Sequence, residues 1–254
     1  MELPITISQP FGAPFTYREL DNLLQEAGAW QPICVVPGKA ISTGKQGSFM
    51  GLPDEHGGMP CLRCPSFHGC EIMPDFMHKY LDAIFSCTGV RYNIVKVLKY
   101  IQGTEGIAAH SDKCIDLEVD TDILIYRMNS DGNTRSLCFR DKGTGREYTY
   151  LMRSNQLMSI PYNTNRSTVH YVPSEECCTP ECISFVFRVA HTFQKDGMTY
   201  GQGAKYKTYH ERLAAGVSAN SPDLLELYRY ENTNDTSSIH LDNEIYRKII
   251  EQTL

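Results

Sequence analysis

Between residues 92 and 190 the chain is a run of short strand-forming segments with no helical period between them, and this limits its fold more than anything else in the sequence. The segments 92–100, 121–128, 135–140, 146–152, 156–160, 167–172 and 182–190 are rich in aliphatic, β-branched and aromatic residues. Asp141-Lys142-Gly143-Thr144-Gly145 reads as a hairpin turn between two of them. Parallel strands need long crossovers, whereas antiparallel strands need only turns. The pattern therefore predicts an antiparallel sandwich or barrel.

Helices are expected only outside this run. Thr16-Tyr17-Arg18-Glu19 has the form of a capping box, in which hydroxyl and carboxylate satisfy orphan amides at a helix start. Leu20, Leu23, Leu24 and Ala27 then fall on one face, and Gly28 ends the helix. A second helix is predicted from Pro74-Asp75 to Gly89, with Phe76, Tyr80, Ile84 and Cys87 as its apolar stripe. Further helices are expected after Ser221-Pro222, with Leu224, Leu225 and Tyr228 as core contacts, and from Asp242 onward.

The 254 residues suit one large domain, and a hydrophobic fraction of 41% supports a packed core. The formal charge of -6 counts mildly against a general nucleic-acid binder, because an acidic surface repels phosphate, but it leaves room for a local basic groove. The start, MELPITISQP, has no basic region followed by an apolar run, and no stretch is apolar enough to span a bilayer. A soluble intracellular protein, cytoplasmic or nuclear, is expected, and its 10 cysteines are expected to be thiols or metal ligands.

The chemistry centres on Ala109-His110-Ser111-Asp112. In an extended segment, residues two apart share a face, so His110 and Asp112 can grip one ion. His170, in Val169-His170-Tyr171 on a later strand, supplies a third ligand. Two histidines and one carboxylate on one face of an octahedron leave positions open, the arrangement used by non-haem Fe(II) oxygenases.

With these residues in place, the segment from Met73 to Ala190 resembles the AlkB-type branch of the Fe(II)/2-oxoglutarate oxygenases. That branch has a strand with an inward tyrosine ahead of H-x-D, matched here by Tyr100, with Gly103 and Gly106 between it and His110. It often reads H-x-D-K, matched by Lys113, and has an arginine four residues ahead of the second histidine, matched by Arg166 before His170. Its last core strand carries an arginine at each end. Here Arg188 matches the second, and Cys182 replaces the first, which in the family binds the distal carboxylate of 2-oxoglutarate.

The resemblance implies an α+β, mainly β fold: a double-stranded β-helix (jelly-roll) core over 73–192 with flanking helices. Residues 1–72 would be an N-terminal extension and substrate lid, and 193–254 a C-terminal helical extension packed on the core, all in one domain. It also implies iron on His110, Asp112 and His170, with 2-oxoglutarate and O2 as co-substrates. The substrate would be hydroxylated or oxidatively demethylated, with a modified nucleic acid base ranked before a protein side chain. With Cys182 uncharged, Lys96, Arg127 and Arg188 are the candidate anchors for the distal carboxylate, beside Tyr100. Arg127 is preferred, because an arginine holds a carboxylate through two parallel hydrogen bonds.

Other motifs admit two readings. Cys61, Cys64, His68 and Cys70 could close a zinc site, with Cys177, Cys178 and Cys182 as distant reserves, or be reduced thiols in a loop. Residues 51–58 could be a lid or an ordinary surface loop. Residues 200–207 could line a groove for an anionic polymer or form a turn. A ligand-binding barrel without turnover and a zinc-stabilised interaction protein remain the alternatives to an enzyme.

Overall fold

A computed structural model describes residues 2–9, 12–33, 44–64, 67, 69–130, 134–176, 181–211, 224–241 and 243–252. The expected strand run forms two antiparallel layers. The larger sheet is ordered β1 (Thr6–Ser8), β10 (Gln156–Ile160), β7 (Ile123–Asn129), β12 (Cys182–Arg188), β5 (Ile94–Tyr100), β2 (Gln46–Gly51), β4 (Glu71–Ile72), with only the β2–β4 edge parallel. The smaller is ordered β6 (Ile107–His110), β11 (Thr168–Val172), β8 (Arg135–Asp141), β9 (Glu147–Met152). Together they make the jelly roll, a mainly β fold with helices at its margins. A third sheet joins β14 (Met198–Gly201), β13 (Thr192–Lys195) and β3 (Met59–Pro60).

Alternation along the strands sorts side chains into two cores. Val95 and Val97 of β5, Leu124 and Tyr126 of β7, and Ile183, Phe185 and Phe187 of β12 face outward. They pack beneath α1 (Tyr17–Glu26) and α2 (His78–Thr88), against Leu20, Leu24, Tyr80 and Ile84. Ile94, Leu98 and Tyr100 of β5, Ile123 and Ile125 of β7, and Cys182 and Val186 of β12 face the interior, where Leu137, Phe139 and Val172 of the smaller sheet meet them. The central strands β7 and β12 are buried at every position and mostly apolar, with Arg127, Asn129, Ser184 and Arg188 as buried polar exceptions.

The helix starts follow their local chemistry. Thr16 and Glu19 form the capping box, and Gly28 and Gly89 take the positive φ values, 70° and 71°, that follow a helix end. Lys99, on the outer face of β5, pairs with Asp21 of α1 at 2.8 Å, and Trp30 donates to the same carboxylate at 2.9 Å. The stripe of α2 differs from expectation at one point: Cys87 is exposed, because it lies in the last turn, beyond the reach of the sheet.

The turn before β11 is a helix, α3 (Tyr162–Ser167), and β6 and the β13–β14 hairpin are strands beyond the expected set. Pro222, Asp242, Cys177 and Cys178 lie outside the described residues, as do the side chains of Leu224 and Leu225. The expected last helix is α5 (Glu244–Gln252), preceded by α4 (Leu224–Thr233).

The loop 51–58 is pinned. The Asp54 carboxylate accepts from the backbone of His56 (2.9 Å) and Gly58 (2.8 Å) and from the Tyr200 hydroxyl (2.7 Å). A Cβ on Gly58 would collide with the Tyr200 hydroxyl oxygen. Gly58→Ala should therefore break the Tyr200–Asp54 bond and cost about 2 kcal/mol, read as a drop of several degrees in the melting temperature. An unchanged melting curve would show that the loop is not held this way. The segment after β14 is a turn closed on itself, with Lys207 Nζ donating to the carbonyls of Ala204 (2.7 Å) and Gln202 (3.1 Å).

Candidate metal centre

The three candidate ligands meet at the β6 edge of the smaller sheet. His110 ends β6 and lies opposite His170 of β11 in the strand register, with ring centroids 4.5 Å apart. Asp112 follows in the loop after β6, its Oδ1 3.8 Å from His110 Nε2. One ligand atom from each of the three lies within 4.8 Å of the other two, the one such cluster among the described residues.

The protein prepares each ligand. His110 Nδ1 is 2.9 Å from the carbonyl of Ala108, so it carries the proton and Nε2 is left with its lone pair. Phe139 backs the His170 ring at 5.8 Å between centroids, and His170 Nδ1 is buried with no protein partner. Desolvation lowers the pKa of the part-exposed His110 and of the buried His170, and the neighbouring His110 adds to the effect at His170, whose pKa falls to about 3. For Asp112, burial alone would raise the pKa. Arg188 outweighs it, helped by His170 and His110, and the carboxylate stays ionised well below its usual range. Neutral imidazoles and an ionised carboxylate are the donor states a divalent metal requires, so these residues fit one.

Two side chains fix Asp112. Arg188, at the end of β12, reaches its Oδ2 through Nε (2.8 Å) and Nη2 (2.6 Å), which leaves Oδ1 to face the histidines. Asn165 of α3, fully buried, accepts from the Asp112 amide at 2.8 Å and donates to its carbonyl at 2.9 Å. Asn165 lies in a polar stretch that reads as an exposed turn, so no sequence signal pointed to it.

Arg127 lies deeper on the barrel's inner face and is 1% exposed. Its Nε donates to Ser184 Oγ (3.2 Å) and its Nη1 to the carbonyl of Arg135 (3.2 Å), and it has no ion pair among the described residues. Tyr100 and Cys182 are register partners on adjacent strands, and the Arg135 guanidinium lies 5.0 Å from the Tyr100 ring centroid. Arg135 was not foreseen. It opens β8 and donates to the carbonyls of Gln102 (3.1 Å) and Gly103 (3.0 Å), with Glu175 3.8 Å away. Lys96 also faces inward, its ammonium 5.1 Å from the Phe49 ring centroid, and burial lowers its pKa. Arg166 points away from the triad, to Thr236 Oγ1 (3.4 Å) and the carbonyl of Ile239.

Cys61 and Cys70 are free thiols, and burial raises the thiol pKa of Cys61, and that of Cys70 to about 12. Their sulfurs do not form a three-ligand cluster, and His68 lies outside the described residues.

No protein-family model matches the chain, and no curated protein matches it by sequence. Among solved structures it is similar to one described as the structure of OsALKBH1, with a TM-score of 0.50 and 13% identity over 74% of this chain and 99% of that one. At that identity the likeness concerns the fold. The shared fold and the His–Asp–His cluster are what the comparison and the geometry supply. No helix among the described residues is long and apolar enough to cross a membrane.

Proposed function

We propose that the chain is an Fe(II)- and 2-oxoglutarate-dependent dioxygenase that hydroxylates or oxidatively demethylates its substrate. The observation that carries this reading is Arg127, a buried guanidinium without a carboxylate partner on the inner face of the barrel that holds the triad. A buried charge lacking a counter-ion is costly, and a dicarboxylate co-substrate would supply one.

In this reading His110, Asp112 and His170 hold the iron. Bound iron supplies oxidative chemistry in which 2-oxoglutarate and O2 give succinate, carbon dioxide and an oxygenated substrate. Arg188 keeps Asp112 ionised and aimed, and Asn165 fixes its backbone. Arg127 takes the distal carboxylate at the position Cys182 leaves uncharged, with Tyr100 beside it, while Lys96 and Arg188 add positive field toward the other end. The apolar inner walls exclude water from the reacting groups. A modified nucleic acid base ranks first as substrate and a protein side chain second. Zinc on Cys61, Cys64, His68 and Cys70 is a separate, lesser proposal.

Succinate formation from 2-oxoglutarate with Fe(II) and ascorbate tests the activity, with Asp112→Ala as control. Wild-type turnover that depends on both Fe(II) and 2-oxoglutarate is expected. No succinate under any loading would favour a ligand-binding barrel. Metal analysis of the isolated protein tests the zinc proposal, which expects about one zinc per chain.

A further inference from the structure

The loop that carries Asp112 is held on one side by Asn165, and its other side rests on a helix outside the barrel. In α4 the side-chain oxygen of Asn232 accepts from the Ser111 amide at 3.1 Å and from the Lys113 ammonium at 2.6 Å. It thus brackets Asp112 through both of its neighbours. The adjacent Glu231, 2% exposed, accepts from the Cys114 amide at 3.4 Å and from the Tyr246 hydroxyl of α5 at 2.9 Å, with Lys113 Nζ 3.8 Å away. Lys113 also donates to the Tyr228 carbonyl at 3.2 Å, and Lys142 of the β8–β9 turn ties the Glu231 carbonyl to that of Arg166, each at 2.6 Å. The far side of the ligand loop therefore has its polar partners on α4.

We propose that Asn232 is a positioning residue for the metal ligand Asp112, so that the C-terminal helix α4 is a working part of the metal centre. Asp112 can present Oδ1 to an ion only while its backbone keeps its place against Arg188 and the two histidines. Asn165 fixes the amide and carbonyl of Asp112 itself. Asn232 alone bonds the residues on both sides of Asp112, and without it the Ser111 amide loses its partner while Lys113 keeps only Tyr228 and Glu231. Partners that orient metal ligands typically contribute about ten- to a hundredfold in metal affinity.

The two asparagines differ in a way that can be tested. Asn232 is used only as an acceptor, so Asn232→Asp keeps the needed oxygen and adds charge beside Lys113. Asn232→Leu fills the same space without an acceptor. Asn165 both accepts and donates, so Asn165→Asp cannot reproduce its pair of bonds.

The proposal rests on the triad being a metal centre, and the experiment separates the two. The full chain is titrated anaerobically with Co(II), reading affinity by calorimetry and ligand geometry by the visible d–d spectrum. Asn232→Asp should bind Co(II) within about threefold of wild type with the same spectrum, whereas Asn232→Leu should bind at least about tenfold more weakly with an altered spectrum. Asn165→Asp should resemble Asn232→Leu. If Asn232→Leu does not fold, Asn232→Ala replaces it, with metal-free melting curves confirming a folded chain. A wild-type affinity and spectrum in Asn232→Leu or its Ala replacement would overturn the proposal. So would an Asn232→Asp protein as impaired as the Leu variant. If wild type itself failed to bind Co(II), the metal centre would fall, and the positioning role with it.

Discussion

Asp112→Ala is expected to do two things at once: abolish metal binding and destabilise the fold by about 3–5 kcal/mol. The second effect comes from Arg188. Its side chain is 8% exposed and its guanidinium is held by the Asp112 carboxylate at 2.6 Å. Removing the carboxylate leaves a buried positive charge without a partner, which is worse than never having the pair. Adding Arg188→Met should recover much of the lost stability and none of the metal binding. Urea denaturation of the metal-free single and double variants, alongside Co(II) titration, measures both. An Asp112→Ala protein as stable as wild type would mean that Arg188 finds another partner.

Arg127→Met should behave in the opposite way. Arg127 has no carboxylate partner among the described residues, so its loss should leave the stability of the unliganded protein unchanged or raise it. Its affinity for 2-oxoglutarate should fall about a hundredfold or more, because the distal carboxylate would lose its charge partner. Arg135→Met is the contrast. Arg135 ties the carbonyls of Gln102 and Gly103 to β8, so its loss should lower stability first. Anaerobic calorimetry with Co(II)-loaded protein gives the affinities. A wild-type 2-oxoglutarate affinity in Arg127→Met would move the anchor elsewhere, with Arg188 and Lys96 as the remaining candidates.

The barrel strands were legible because each carries its own local pattern. β10 spans the same residues, 156–160, in sequence and structure, and the β8–β9 turn closes as its Asp-x-Gly-Thr-Gly chemistry dictates, with Asp141 Oδ1 accepting from the Thr144 amide at 2.7 Å. The β13–β14 hairpin was missed although its signal was present. Asp196 and Gly197 take φ values of 50° and 75°, the geometry for which an Asp-Gly pair is suited. Strands such as β3 and β4 are too short to show a period, and only their partners define them.

In the site, His110, Asp112 and His170 were legible as candidates from the H-x-D spacing and a later strand histidine, but their meeting depends on the pairing of β6 with β11 and on the loop after β6. Asn165 and Asn232 were not, since a buried asparagine and an exposed one look alike in sequence. Arg188 was legible as a position, but its bond to Asp112 depends on where β12 ends relative to β6. That is a property of the whole fold.

The chain has a single tryptophan, Trp30, bonded to Asp21 and beneath the ammonium of Lys99, 5.6 Å from its ring. Its fluorescence is therefore a local reporter of whether α1 is seated on the outer face of the large sheet. The triad lies across the barrel, on the smaller sheet, so binding there should leave the folded emission spectrum almost unchanged. A shift of the fluorescence-detected melting curve by added metal would then mean that the helical layer and the metal centre come apart in one cooperative step, whereas a melt indifferent to metal would reveal two units that open separately.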